Sequence, residues 1–304
     1  MGTETAMYAE KYLARVGHTG AVRPGRELLD ELLRRHVATI PFENLDSFAP
    51  VDGRLGVSLE AANLAGKLLG AVDGGPRRGG YCFEHAALLR IVLPAYGFEV
   101  RTALGRVYVD PQLAPGPKTH NATVVRLGDR QLLADPGFGG MTPTASLDLA
   151  VTGTPQQTPH GAYRIVPMAH AGVEVDAAPD LDVMLQTRID RNGEERWINL
   201  YGLDLAPAVL RDIDALNWYI ATAPVSPFVR RFAAALAPDG HRITIAGAVS
   251  RTRSVAGDRP ATERPLDTAD DFRDALRAVG VDADDAAIER VRGRLGAAAT
   301  PVDG

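Results

Sequence analysis

The chain contains a single cysteine, Cys82, in 304 residues. One thiol excludes an internal disulfide framework, and it excludes a zinc site shared between cysteines. There is no excess of positive charge: 33 Lys and Arg stand against 38 Asp and Glu, a net charge of -5. The overall positive field used by nucleic-acid and anionic-membrane binders is therefore missing, and small molecules are the expected partners. No apolar run is long enough to cross a bilayer, and the opening MGTETAMYAEKYLARVG has no basic segment followed by an apolar stretch. A cytoplasmic location is the expectation. Internal repeats and low-complexity linkers are also absent. What is present is an ordinary globular composition, 45% hydrophobic and 23% charged. The length exceeds what one hydrophobic core usually organises, so two or three small domains sharing a cleft are expected.

Residues 8–37 carry helical periodicity in YAEKYLARVG and RELLDELLRRHVATI, with Pro24-Gly25 between them. PFENLD reads as a turn or short extended piece, and SLEAANLAGKLL returns to helical spacing with Ser58 as its expected N-cap. GGPRRGG at 74–80 breaks structure. CFEHAALLRIVLPAYGF then opens a helix at or near Cys82 that ends around Pro94 to Gly97. From Phe98 onward EVRTALGRVYV, HNATVVRL, RQLLADPG, AYRIVPM, LDVMLQTRID and ERWINLYGL are short and rich in β-formers, which predicts an open sheet or barrel. PGPKTH and TGTPQQTPHG are read as loops. Beyond about residue 206, RDIDALNWYIAT and SPFVRRFAAAL are predicted helices, HRITIAG a strand, and ADDFRDALRAVG and DAAIERVRGRL two final helices.

Cys82 follows Arg78-Gly79-Gly80-Tyr81 and stands where a helix begins. Unpaired backbone N–H groups and the helix dipole favour a thiolate there, whereas an isolated cysteine elsewhere is most often a small core residue. A cysteine nucleophile needs a base, usually histidine, and a third group that fixes the tautomer of that histidine. Gly128-Asp129 suits a two-residue hairpin turn between HNATVVRL and RQLLADPG. With Leu127 opposite Arg130, Ala122 faces Asp135, and His120 and Asp135 project from one face as diagonal neighbours about 7–8 Å apart. A register slip of one residue would separate them. His85 lies close enough to Cys82 on the predicted helix to compete, but it has no evident acidic partner. His18, His36, His160, His170 and His241 lack ligand spacing and read as surface or packing residues. No metal site is expected.

IPFENLD at 40–46, RGGYCFEH at 78–85, THNATVV at 119–125 and DPGFGG at 135–140 together resemble the arylamine N-acetyltransferases. GFGGMTPTASLDL, WINLYGLDL and NWYIATAPVSPF extend the resemblance in the same order, and it is weakest after about residue 235. Carried onto this chain, the resemblance implies a catalytic triad of Cys82, His120 and Asp135. It implies an α+β multidomain fold: an N-terminal helical bundle (1–97), a central β-barrel (98–205) and a C-terminal α/β lid (206–304) around a core like that of the cysteine proteases. It implies ping-pong transfer of acetyl from acetyl-coenzyme A, through a Cys82 thioester, to an arylamine or hydrazine acceptor. Acetyl-coenzyme A would be a substrate, with no cofactor held permanently.

Phe42, Phe138 and Phe228 match positions facing the acceptor pocket in that family, as does either Val107 or Tyr108. Gly137, Gly139 and Gly140 add no side-chain bulk and so would let backbone approach the pantetheine and phosphates of coenzyme A; tight-turn chemistry explains these glycines equally well. Arg78 and Glu84 are expected to form an ion pair that braces the nucleophile's turn. Two departures stand out, Ala86 where many members have asparagine and Ala223 where they have histidine; both put local bracing or acceptor preference in question. Two other reactions fit the same triad: an amide synthase closing a macrolactam from a carrier-bound polyketide, and a thiol hydrolase.

Overall fold

A computed structural model describes residues 3–299 except 52, 53, 55, 109–115, 175, 192, 258 and 259. The first two amphipathic segments form α1 (Thr3–Val16) and α2 (Arg26–Thr39). Tyr8, Tyr12 and Val16 on α1 and Leu29, Leu32 and Leu33 on α2 recur at helical spacing and are buried. PFENLD gives a two-residue strand, β1 (Phe42–Glu43), and one helical turn, α3 (Leu45–Phe48). SLEAANLAGKLL begins as α4 (Ala61–Leu64) and loosens into a π-turn over Ala65–Leu69. The expected cap is displaced: Glu60 holds the N-cap position, while Ser58 Oγ accepts from Glu60 N (3.3 Å) and Asn63 Nδ2 (2.9 Å) in the turn before it. Helix α5 (Cys82–Val92) starts on the cysteine and runs out through a 3₁₀ turn over Leu93–Tyr96.

The β-rich middle supplies β2 (Glu99–Val107), β3 (His120–Leu127), β4 (Arg130–Ala134), β5 (Leu147–Asp148), β6 (Gln156–Thr158), β7 (Gly161–Pro167), β8 (Val183–Arg191) and β9 (Glu194–Asp204). They form one antiparallel sheet in the order β5-β4-β3-β2-β9-β8-β7-β6. β6 lies in TGTPQQTPHG, expected to be loop; its backbone pairs with β7 despite a turn-like composition. The PGPKTH loop begins among the residues not described. The Gln156 side chain accepts from Asp148 N (2.8 Å) and donates to Asp148 O (2.9 Å), which draws the two edge strands together into a nearly closed barrel. Side-chain alternation gives β3 and β4 two buried faces. Val124 and Leu133 turn into the barrel with Tyr163, Leu185 and Tyr201, while Val125 and Leu132 pack on α1, α2 and α5.

The C-terminal part contributes α6 (Leu210–Thr222), α7 (Pro227–Arg230), β10 (Ala233–Leu236), β11 (His241–Ala246), β12 (Val249–Ser254), β13 (Thr262–Pro265), α8 (Ala269–Ala278) and α9 (Asp285–Ala299). SPFVRRFAAAL departs from the helical expectation: one turn is followed by a strand. Alanine favours helix intrinsically, but pairing with β1 on one side and β11 on the other overrides that preference. The sheet β1-β10-β11-β12-β13 covers a core in which Phe232 and Ile245 pack with Phe272, Leu276 and Val291. No described helix is long and apolar enough to cross a membrane.

Candidate active site

The turn that delivers Cys82 is held from several directions. Gly80 N donates to Pro41 O (3.2 Å), and Glu43 N donates to Gly80 O (2.8 Å), so β1 runs against the turn. A Cβ on Gly79 would lie 1.8 Å from Pro41 O, which admits only glycine there. Glu84 Oε2 accepts from Tyr81 N (3.0 Å), capping α5, while its Oε1 accepts from Lys67 Nζ (2.8 Å). Arg78 does not pair with Glu84, contrary to expectation; it donates to Glu43 (2.9 Å) and Asp46 (2.9 Å). Lys67 links the two halves of this cluster, since it also lies 2.7 Å from Asp46. Burial raises the Glu84 carboxyl to about 7 against the pull of Lys67, with Asp46 and Glu43 adding to the rise.

The hairpin register is the one the turn dipeptide predicts, with Leu127 opposite Arg130 and Thr123 opposite Ala134. It carries His120 and Asp135 to one face, where His120 Nε2 donates to Asp135 Oδ2 at 2.9 Å. The other ring nitrogen, Nδ1, is free of Asp135, and Cys82 lines the same cavity as the ring and adds to the rise of its pKa. Cys82 Sγ is also 3.6 Å from Thr119 O. All three side chains are nearly inaccessible, at 3%, 2% and 2% exposure for Cys82, His120 and Asp135. Burial by itself lowers the His120 pKa, but the Asp135 charge and hydrogen bond, assisted by Cys82, overcome it and push the value up to about 10. The geometry therefore favours an imidazolium beside the sulfur.

Sequence reasoning missed Tyr201. Its hydroxyl donates to Asp135 Oδ2 at 2.5 Å, and its ring lies 4.3 Å from that of His120. Gly137 N donates to Asp135 Oδ1 (3.1 Å), so the carboxylate accepts from three donors. Tyr201 lies on β9, two strands from His120 in the sheet order, and only the closed sheet reveals the contact. WINLYGLDL in the resemblance was the available signal.

His85 belongs to a different network. Its Nδ1 is 2.7 Å from His36 Nε2, and His36 Nδ1 is 3.1 Å from Tyr12 Oη, all inside the helical core. Burial holds the His85 pKa at about 4, so it is a neutral packing group. His18 and His160 are likewise buried, against Glu31 and Pro238 O respectively.

Cys82 and His120 open into a cavity of about 660 Å³. Phe42, Phe138, Phe228, Val107 and the turn Gly137, Gly139 and Gly140 all line it. Tyr108 does not: one residue beyond β2, it turns the other way and packs with Val166, Met168 and Met184, as period-two alternation requires. The Phe42 and Phe228 ring centroids are 5.8 Å apart, and Tyr81 meets Phe228 edge-on at 5.4 Å. Another cavity, of about 750 Å³, is bordered by Asp46, Lys67, Arg78 and Trp218 and does not include Cys82 in its lining. Ala86 is buried on α5, and Ala223 closes α6 through its backbone N–H to Tyr219 O (2.8 Å). No cluster of three or more metal-ligating side chains occurs among the described residues.

A sequence profile of the N-acetyltransferase family matches residues 27–283. The arylamine N-acetyltransferase of Mycolicibacterium smegmatis is 36% identical over 297 residues, covering 95% of this chain and 98% of that protein. The Escherichia coli K12 arylamine N-acetyltransferase is 35% identical over 235 residues, 77% of this chain and 75% of that one. The structure of the Mycobacterium marinum enzyme in complex with CoA superposes with a TM-score of 0.78 at 32% identity, covering 95% of this chain and 97% of that one. Helices, barrel-like sheet and cleft thus accompany a likeness that runs almost end to end, and the chain belongs to the arylamine N-acetyltransferase family.

Proposed function

We propose that this enzyme acetylates arylamines or arylhydrazines by a ping-pong route through Cys82, with His120 and Asp135 completing a triad. The carrying observation is the contiguous buried set of Cys82, His120 and Asp135 at the floor of an apolar cleft. His120 takes the thiol proton, and the sulfur attacks the thioester carbonyl of acetyl-coenzyme A. The tetrahedral intermediate collapses as the imidazolium returns its proton to the departing coenzyme A sulfur, leaving acetyl on Cys82 and a neutral His120. The amine then attacks that thioester, its nitrogen loses a proton to the imidazole, and the regenerated sulfur departs. Asp135 holds the ring through Nε2 and favours its cationic form. Cys82 N–H, the first of α5, has no partner within the helix and suits the developing oxyanion.

Coenzyme A is the ligand named in the Mycobacterium marinum structure, which supports acetyl-coenzyme A as donor here. Phe42, Phe138, Phe228 and Val107 give the acceptor an aromatic and aliphatic wall. We further propose three folding units, 1–97, 98–205 and 206–304, each centred on an apolar cluster, around α1 and α2, inside the barrel, and beneath β10 to β12; the first cluster also takes in Val125 and Leu132 of the sheet, and the last takes in Leu45 and Phe48. The second sheet and its helices would act as the lid of a triad core like that of the cysteine proteases. A reducing, cytoplasmic compartment suits a mechanism that needs a free thiol.

Incubation with acetyl-coenzyme A alone should give one added acetyl group by intact mass, absent in Cys82→Ala, and a subsequent arylamine should remove it as the amide. Acylation only by a carrier-bound acyl chain would favour an amide synthase. Release of free acetate with only traces of amide would favour a hydrolase.

A further inference from the structure

Strands β11 and β12 pair with Arg242 opposite Arg253 and Thr244 opposite Arg251. Residues two apart on a strand share a face, so these four side chains project together, and three of them are arginine. Like charges directly opposed across an antiparallel pair are destabilising. This face lines the cavity that holds Cys82.

Two of the three charges, those of Arg242 and Arg253, have no carboxylate partner among the described residues. Arg242 is 5% exposed, and its guanidinium donates to Gly140 O (3.1 Å), Thr142 O (2.9 Å) and the Tyr163 hydroxyl (2.8 Å). Those neutral acceptors fix the cation without cancelling it, and a buried cation lacking a counter-charge is costly. Among the described residues, the one carboxylate paired with this face is Glu263, 2.6 Å from Arg251. Burial and then Arg242 lower the pKa of Arg253, as crowding among cations demands. The face faces inward on the glycine turn: a Cβ on Gly140 would lie 2.8 Å from Thr244 Cγ2. A chain of net charge -5 thus concentrates three cations on one wall of its reaction cleft.

We propose that Arg242, Arg251 and Arg253 form an anion subsite that receives the phosphates of the acyl donor. The subsite rests on the acetyl-coenzyme A reading. It makes donor selection electrostatic: Arg242 supplies a fixed interior charge, the exposed Arg253 supplies a fork that grips phosphate oxygens, and Arg251 joins it by exchanging Glu263 for phosphate. The thioester reaches Cys82 while the phosphates stay on the arginine wall, and the apolar remainder of the cleft is left to the amine.

The test compares two donors, acetyl-coenzyme A and the phosphate-free p-nitrophenyl acetate, in single-turnover acetylation of Cys82. Arg253→Gln and the double variant Arg251→Gln/Arg253→Gln should lower the ratio of the two kcat/KM values by about 10-fold or more, the loss of a charge-assisted hydrogen bond. Arg253→Lys should recover part of the ratio, and Arg211→Gln on the outer face of α6 should leave it unchanged. Rising salt should weaken acetyl-coenzyme A use more in the wild type than in the double variant. The subsite is wrong if the wild type uses acetyl-coenzyme A and the double variant keeps the ratio within twofold. If the wild type reacts with p-nitrophenyl acetate but not with acetyl-coenzyme A, the donor reading fails and the subsite falls with it.

Discussion

Asp135→Asn is the most informative single change, because its outcome can be worked atom by atom. Asp135 accepts from His120 Nε2, the Tyr201 hydroxyl and Gly137 N. An asparagine of the same shape has one acceptor and one donor group. The Gly137 N–H cannot turn away, so the amide oxygen must take the Oδ1 position. The NH₂ then occupies the Oδ2 position and faces both the Tyr201 hydroxyl, which can rotate and accept, and His120 Nε2. To avoid two opposed donors, His120 must place its only proton on Nδ1, the nitrogen not held by Asp135, which leaves it no lone pair there for the thiol proton. The charge that lifted its pKa to about 10 is also gone, and burial then favours the neutral ring. Comparable tautomer errors in triads cost about 10⁴-fold in rate. Stopped-flow acetylation of Cys82 by acetyl-coenzyme A measures the loss, and nitrogen-15 NMR of His120 reports the tautomer. Retention of more than about a tenth of the wild-type rate, or an unaltered Nε2–H tautomer, would refute the reasoning.

Stability should depend on pH through the same histidine. Its folded pKa, about 10, lies above the ordinary 6.5, so its contribution is fully present below about pH 6.5 and is lost as pH rises towards 10; urea midpoints should fall across that window, and less steeply in His120→Asn. Gly79→Ala drives a methyl group into Pro41 O and should lower stability by roughly 3 kcal/mol or more, read as a fall in melting temperature; a fall of only a degree or two would contradict the packing. Phe228→Ala removes an aromatic wall shared with Phe42 and Tyr81, and should raise KM for an aromatic amine more than for a small hydrazine, checked by acceptor competition.

Much of this site was legible because its chemistry is local in sequence. The Gly128-Asp129 turn fixes the register of β3 and β4, and register with period two places His120 beside Asp135 without any tertiary information. The start of α5 at Cys82 was likewise marked by the preceding glycines. Contacts depending on distant pairing were not visible. Tyr201 reaches Asp135 across 66 residues, and Arg78 pairs with Glu43 and Asp46, while both oxygens of the nearer Glu84 are taken by Tyr81 N and Lys67. AAAL was misjudged for a similar reason: propensity describes an isolated segment, whereas β10 exists because two strands flank it.

The two-residue strand β1 also has a consequence for when activity can arise during synthesis. Phe42 pairs with Ala235 on one edge and bridges Gly80 on the other, and Asn44 Oδ1 accepts from Ala233 N across 189 residues. Such non-local pairing forms late, after the loops it closes have been drawn in. A chain still emerging from the ribosome and ending before residue 233 lacks β10, the strand that pairs with β1 on the edge away from the Cys82 turn. Its thiol is made early and armed late, once the residues through β10 are present to hold β1 in place.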